Sequence, residues 1–311
     1  MIRLGFAVRA VGQPGLAASG RRSSPPHLSV ALAGLTDMLR YLSRIEVRFY
    51  RAPLLLTEAG GFVQLAESAD QLALLAQRLA AAGVRVSLHL PLGLALATAD
   101  ESRAAAAIAT IEATAALLAA LDAERPAGAV EGIMVTHLDA PSSDLAGYRR
   151  FAMRYRALSA QARARLAIEH GDAGPSLGQL LSLHQQCGIA VVFDLLHWEL
   201  HNPENLPLDL ALGLALATWP RSVRPEVHLS SQRGEAHLLP GRTGEPSRVV
   251  APRSGQHADY VAVADLARLL QAAQGLPPFD LMVEAKAGDL AIVRLRHDLL
   301  HRDPRLAARL A

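Results

Sequence analysis

Short apolar strand-like runs alternate with helical segments about eight times along this chain. The run ending at His89, for example, is followed by a helix from about Glu101 to Leu121 and then by a run ending at His137. Such alternation favours a parallel sheet, and 311 residues is about the length that a (β/α)8 TIM barrel needs. We therefore predict one α/β barrel domain over residues 1–311. A doubly wound open sheet is the alternative.

Titratable side chains end most of the predicted strands. They are His89, His137, Glu169, Asp194, His228 and Glu284, and Glu226 lies two residues before His228. A polar side chain at the end of a buried strand is costly unless it meets a partner there. In a barrel all the strand ends converge on one mouth, whereas in an open sheet they form a line. The pattern therefore favours the barrel and predicts one shared site at its C-terminal mouth.

The residue types at these ends are metal ligands. Imidazole nitrogens and carboxylate oxygens bind divalent ions such as Mn²⁺ and Zn²⁺. The candidates are His89, His137, Glu169, Asp194, His197, Glu226, His228, His257 and Glu284. So many ligands suit two or three ions, as in multi-metal hydrolases. One strand-end histidine is more often structural, and one acidic residue often only caps a helix. Coincidence at all the ends is much less expected.

Composition and charge narrow the class of protein. The net charge of +2 is no strong footprint for nucleic acid, although a sum conceals local patches. Cys187 is the single cysteine, which excludes an intrachain disulfide and a thiolate metal cluster. We see no secretory leader, and Glu112 interrupts the most apolar helix, so we expect a cytoplasmic protein with no membrane partner. Gly12–Pro26 and Ser231–Gln256 are predicted to be flexible loops.

Several segments resemble motifs of the UV-damage endonucleases, the UvdE-type DNA repair enzymes. They are residues 2–6, 167–169, 191–197, 227–231, 257–260, 282–286 and 290–296. The resemblance covers nearly the whole chain and is strongest from about Arg165 to Asp298. It implies a TIM barrel in the style of endonuclease IV and a cluster of up to three divalent ions, commonly manganese. It also implies nicking of DNA on the 5′ side of UV photoproducts.

The resemblance assigns roles residue by residue. It implies metal ligands at His89, His137, Glu169, Asp194, His197, His228, His257 and Glu284. Glu226 stands where the family has a lysine that, carboxylated in some members, bridges metals. The predicted catalytic residues are Glu169, Glu284 and Lys286. Apart from the resemblance, Arg51, Arg233 and Arg253 are the predicted phosphate contacts, because the planar fork of arginine donates bidentately to phosphate.

Other positions depart from the family pattern. Leu90-Pro91-Leu92-Gly93 replaces the family's Pro-Gly-Gln-Tyr, whose last two residues probe the lesion. Phe6 stands at the tyrosine near the end of the first strand, and His170 at the asparagine after Glu169. The polar turn after the second strand becomes Arg51-Ala-Pro-Leu-Leu-Leu56. Leucine and glycine cannot hydrogen-bond a flipped nucleotide as glutamine and tyrosine do, so photoproduct specificity is not implied.

The sequence therefore predicts a metal-dependent DNA phosphodiester hydrolase that acts on damaged duplex. Mn²⁺ is the expected ion and Zn²⁺ the alternative, and a monomer is favoured. Two other hypotheses remain open. One is a sugar isomerase or epimerase like xylose isomerase, whose pocket the apolar segment Leu90–Leu96 would suit. The other is a non-catalytic barrel that has lost its substrate surface.

Overall fold

The chain forms a closed barrel of eight parallel strands in a computed structural model, which confirms the predicted TIM-barrel fold. The structure describes residues 1–13, 16, 26–54, 56, 61–92, 94–239, 241 and 246–310. The barrel strands are β1 Leu4–Ala7, β2 Phe49–Arg51, β3 Arg85–His89, β4 Ile133–His137, β5 Leu166–Glu169, β6 Ala190–Asp194, β7 Glu226–Leu229 and β10 Asp280–Val283. Their order around the barrel is β1-β10-β7-β6-β5-β4-β3-β2, and β2 pairs with β1.

Helices surround the barrel between the strands. They are α1 Leu28–Arg44, α2 Gly61–Glu67, α3 Ala69–Ala82, α4 Glu101–Leu121, α5 Leu145–Ala157, α6 Ala160–Arg163, α7 Leu177–Cys187, α8 Leu195–Leu200, α9 Leu208–Ala217, α10 Val263–Ala272, α11 Asp289–Arg302 and α12 Pro304–Ala307. Gly83 and Gly188 follow α3 and α7 with positive φ, as predicted, because a left-handed residue ends a helix most easily as glycine. Helix α4 is long and apolar enough to cross a membrane, but half of its most apolar window is buried within the fold.

The two predicted loops have different outcomes. Most of Gly12–Pro26 lies outside the described residues. Where it begins, the backbone N–H groups of Val11 and Gly12 both donate to the Asp289 carboxylate. The segment Ser231–Gln256 is not a loop throughout, because β8 His237–Leu239 and β9 Arg248–Val250 pair within it as an antiparallel sheet.

The interior of the barrel has an apolar half and a charged half. Alternate residues of β4, β5 and β6 form a small apolar cluster, which is Ile133, Val135, Ala167, Ala190 and Val192 with Trp219 and Val223. The charged half lies on β3, β7 and β10. There Asp280 pairs with Arg85 at 2.8 Å and with Arg3 at 2.6 Å, and all three side chains are mostly buried. Since side chains alternate along a strand, every second residue of these strands points into the barrel. The last inward-pointing residues lie at the mouth.

Candidate metal centre at the barrel mouth

Glu169 lies at the centre of the strand-end cluster. It ends β5, is 3% exposed, and has two histidines close to each oxygen of its carboxylate. Oε2 lies 3.4 Å from Nε2 of both His89 and His137. Oε1 lies 3.2 Å from Nδ1 of His197 and 3.0 Å from Nδ1 of His228. Residues far apart in the sequence therefore meet at one carboxylate, as the barrel topology requires.

Three overlapping groups at this point have the arrangement of metal ligands. They are His89–His137–Glu169, Glu169–His228–Glu284 and Glu169–Asp194–His197. Within each group the potential ligand atoms lie within 4.8 Å of one another, and Glu169 belongs to all three. Every donor is an imidazole nitrogen or a carboxylate oxygen, which is the set that Mn²⁺ and Zn²⁺ accept.

Several buried atoms in these groups have no hydrogen-bond partner among the described residues. They are Oε1 of Glu169, Oδ2 of Asp194 and Nδ1 of His228. Glu169 Oε1 and His228 Nδ1 lie close together, but their orientation does not make a hydrogen bond. A buried polar atom without a partner is costly. Polar atoms that lie close together without forming a hydrogen bond are typical of ligands arranged around a shared cation. The residues present therefore fit divalent ions.

The electrostatics of the site favour cations. Burial opposes ionisation of Glu169, but the surrounding imidazoles outweigh it and hold its pKa well below its usual range. Burial also disfavours a charged His197, yet Asp194 and Glu169 outweigh that effect and raise the pKa of His197 to about 10. A field that binds a proton this strongly also attracts a metal ion.

The sequence Asp194-Leu-Leu-His197 has a structural role as well. Asp194 is the N-cap of α8, where its Oδ1 accepts from the backbone N–H of His197 at 2.9 Å. Its Oδ2 remains available at the site. The carbonyl oxygen of His170 lies 2.8 Å from Nδ1 of His197 and orients that ring. Burial lowers the pKa of His170 itself to about 3, so His170 is a neutral support beneath the site.

Arg51 lies deeper than the sequence suggested, and it contacts Glu226 there. Arg51 is 5% exposed, so it is inside the barrel and not on the surface that a DNA phosphate would reach. Its guanidinium donates to Glu284, and Nη2 lies 3.2 Å from Glu226 and 2.6 Å from Nε2 of His228. Burial opposes ionisation of Glu284, but Arg51 outweighs it and lowers the pKa of Glu284 to about 2. Glu226 belongs to none of the three groups found among the described residues.

The remaining predicted residues lie around the rim. His257 reaches Glu284 at 3.7 Å from the loop between β9 and α10 but joins none of the three groups in the described parts of the chain. Arg233 pairs with Asp259 at 2.9 Å, and its role as a phosphate contact stays a prediction. Arg253 and Lys286 are exposed, and their side chains have no ion-pair partner among the described residues.

A cavity of about 370 Å³ opens above the cluster. Six of the candidate ligands line it, together with the apolar residues Leu92, Leu138 and Pro175; they are His89, His137, Glu169, His197, His257 and Glu284. Leu92 is 74% exposed at its edge. A larger groove of about 730 Å³ lies on the outer surface between α9 and α10, away from these ligands.

Sequence reasoning did not identify the supporting residues Arg85 and Ser87. Ser87 lies 3.3 Å from Glu226, and Arg85 lies 3.9 Å from it. Both precede His89 on β3 by an even number of residues, so the period of a strand places them on its inward face. The even spacing from His89 could therefore have identified both residues as inward-facing. It gave no reason to expect that an arginine would be buried there.

Comparisons with known proteins agree with these features. The UV-endonuclease UvdE family model matches residues 28–305. The chain is 32% identical over 152 residues to a UV DNA damage endonuclease of Bacillus velezensis, with 48% of this chain and 42% of the relative covered. It is 29% identical over 175 residues to one of Bacillus pumilus, with 54% and 49% covered. The matches thus span less than half the length of these relatives.

Solved structures extend the similarity to the whole fold. The crystal structure of SacUVDE matches with a TM-score of 0.77 at 22% identity, covering 97% of this chain and 99% of that one. An L-ribulose 3-epimerase matches with a TM-score of 0.55 at 17% identity, covering 92% and 82%. At these identities the likeness is one of fold. The family match over most of the sequence is the stronger finding, and by it the chain belongs to the UV-endonuclease UvdE family.

Proposed function

We propose that the chain is a metal-dependent endonuclease that hydrolyses a phosphodiester bond in damaged duplex DNA. The observation that carries the proposal is the position of Glu169, which is shared by three ligand groups at the mouth of the barrel. The UV DNA damage endonucleases among its relatives support DNA as the substrate.

Each part of the mouth has a role in this proposal. His89, His137, Glu169, Asp194, His197, His228 and Glu284 would hold divalent ions, with Mn²⁺ expected and Zn²⁺ the alternative. Such ions lower the pKa of bound water and stabilise negative charge on a phosphate during displacement. Lys286 and Arg253 are exposed on the rim, where they would neutralise the DNA backbone. Asp194 and His170 hold His197 in place through the contacts described above.

The choice of damaged site depends on other residues than the hydrolysis of the phosphodiester bond. Leu92 stands at the cavity edge, where it can pack against a base but offers no hydrogen bond to one. Selection by such a side chain depends on how easily the duplex opens, because unstacking costs least at a damaged or unpaired site. We therefore propose activity on distorted or interrupted duplexes with no strong preference for photoproducts.

The test is cleavage of defined duplexes. Purified protein with Mn²⁺ is incubated with UV-irradiated, abasic, nicked and undamaged duplexes of one sequence, beside Glu169→Gln. We expect the wild type to cut at least one damaged duplex and the variant to cut none. A protein that binds Mn²⁺ yet cuts none of them would refute the proposal.

A sugar epimerase is the second candidate, because structures such as the L-ribulose 3-epimerase share the barrel. The apolar segment that suggested a sugar pocket instead packs largely into the core, since Leu90, Leu94 and Leu96 are buried. Conversion of ketose–aldose pairs by the metal-loaded protein would favour this candidate. Failure to bind any divalent ion in elemental analysis would favour a non-catalytic barrel.

A further inference from the structure

The guanidinium of Arg51 occupies one corner of the strand-end cluster. It donates to Glu284 through Nη1, while Nη2 lies 2.6 Å from Nε2 of His228 and 3.2 Å from Oε1 of Glu226. Those three side chains are the ones that an ion deep on the β7 side would need. Because an arginine does not lose its proton in proteins, this corner contains a permanent positive charge.

The side chains around Arg51 keep it there. Glu226 is fully buried and sits two residues deeper on β7 than His228. Ser87 donates to it at 3.3 Å, and Arg85 lies 3.9 Å away on the far side. Removing the arginine from this position would leave buried carboxylates without a counter-charge, which is strongly unfavourable. Glu226 therefore acts as an anchor for Arg51.

The charge balance leaves no room for a further ion at this corner. Glu169, Asp194, Glu226 and Glu284 supply the carboxylates, and Arg51 already offsets one of them. Two divalent ions bring the buried site slightly past neutrality, which one hydroxide or one phosphate oxygen corrects. A third ion would add two more charges within a few ångströms of the guanidinium, where repulsion between cations in a dry interior is strong.

We infer that Arg51 takes the place of one metal ion, so that the chain holds two divalent ions and not three. This inference rests on the proposed metal-dependent function. The two ions would use the His89–His137–Glu169 and Glu169–Asp194–His197 groups, with Glu284 and His228 at their border. Glu226, which stands where the family has a lysine that can bridge metals, binds no ion.

The experiment counts ions. Protein stripped with a chelator is reloaded with excess Mn²⁺, desalted and examined by elemental analysis. We expect about two ions per chain for wild type and for Arg51→Lys, which keeps the charge, in line with a two-metal site. Arg51→Met, of similar length without charge, is expected to gain a third ion. A third ion in wild type, or no gain in a folded Arg51→Met, would overturn the inference.

A second variant keeps the test decisive if Arg51→Met misfolds. Glu226→Gln preserves the shape of the anchor and is expected to retain two ions, because its carboxylate is not a ligand. Loss of an ion from a folded Glu226→Gln would show that the Glu226 carboxylate is a metal ligand, which would contradict the inference. If Arg51→Met does not fold, the wild-type and Glu226→Gln counts decide. A wild type without any ion would instead defeat the proposed function itself.

Discussion

Oε1 of Glu169 on β5 and Nδ1 of His228 on β7 lie 3.0 Å apart across the barrel, and neither has a hydrogen-bond partner among the described residues. Nε2 of the same imidazole accepts from Arg51 at 2.6 Å, so this pair joins the Arg51 corner to the carboxylate. Glu169 also belongs to both of the ligand groups that would hold the two ions, which makes it central to the proposed site.

Replacing Glu169 should therefore affect every ion at once. For Glu169→Gln we expect Mn²⁺ affinity and cleavage to fall by at least about 100-fold, because the effect of a shared ligand exceeds that of an outer-shell partner. Calorimetric titration with Mn²⁺ and a nicking assay measure the two. Glu124→Gln, at an exposed position, is the control. Unchanged Mn²⁺ binding in Glu169→Gln would show that the cluster is structural.

Asp194 allows its two roles to be separated. Asp194→Asn keeps an oxygen that can cap α8 but loses the negative charge at the site, so we expect weak metal binding with nearly normal stability. Asp194→Ala also loses the cap, which costs about 1 kcal/mol more in free energy of unfolding. Urea unfolding of both metal-free variants checks the difference. Equal stability of the two would mean that the capping bond contributes little.

The rim cations make a prediction about salt. If Lys286 and Arg253 contact phosphates, Lys286→Gln and Arg253→Gln should each reduce the slope of log affinity against log salt by about 0.9. Fluorescence anisotropy of labelled duplex over a salt series measures it. Arg221→Gln, exposed beyond the opposite end of β7, should leave the slope unchanged. An equal reduction by all three substitutions would indicate a general effect of net charge.

The buried ion pairs of Asp280 lie at the end of the barrel opposite the mouth. Their contribution to the stability of the fold should fall in acid. Burial alone raises the pKa of Asp280, but Arg85, Arg3 and Arg224 outweigh it and hold that pKa below its ordinary value. A depressed carboxyl pKa stabilises the fold above the unfolded value near 3.8, and the contribution is lost as the pH falls through the native pKa. Urea unfolding between neutral pH and pH 3 should reveal this loss in wild type.

Asp280→Asn tests the same cluster at neutral pH. Removing one partner of a buried pair should lower the free energy of unfolding by about 3 kcal/mol, because Arg85 then lacks a full counter-charge. The variant should also lose less stability than wild type on acidification. Asp37→Asn breaks an exposed pair with Arg40 and should cost less than about 1 kcal/mol. A comparable cost for both would contradict the burial argument.

Much of the candidate site was predictable because it depends on periodicity. Strands of a parallel barrel end at one mouth, so His89, His137, Glu169 and Glu284 had to meet once the alternation was recognised. The distances to Glu169 bear out their proximity, and their role as metal ligands stays a prediction. The stop signals at Gly83 and Gly188 depended on local backbone geometry and were confirmed in the same way.

Other features depend on contacts between distant parts of the chain, and the sequence contains no signal for them. It suggested Arg51 as a phosphate contact, whereas the tertiary structure buries it beside Glu226. It also suggested a flexible loop where β8 and β9 pair. Local pattern determined the barrel and which residues reach its mouth. Only the packed interior, where each buried charge must find a partner, decided that Arg51 faces Glu226, Glu284 and His228.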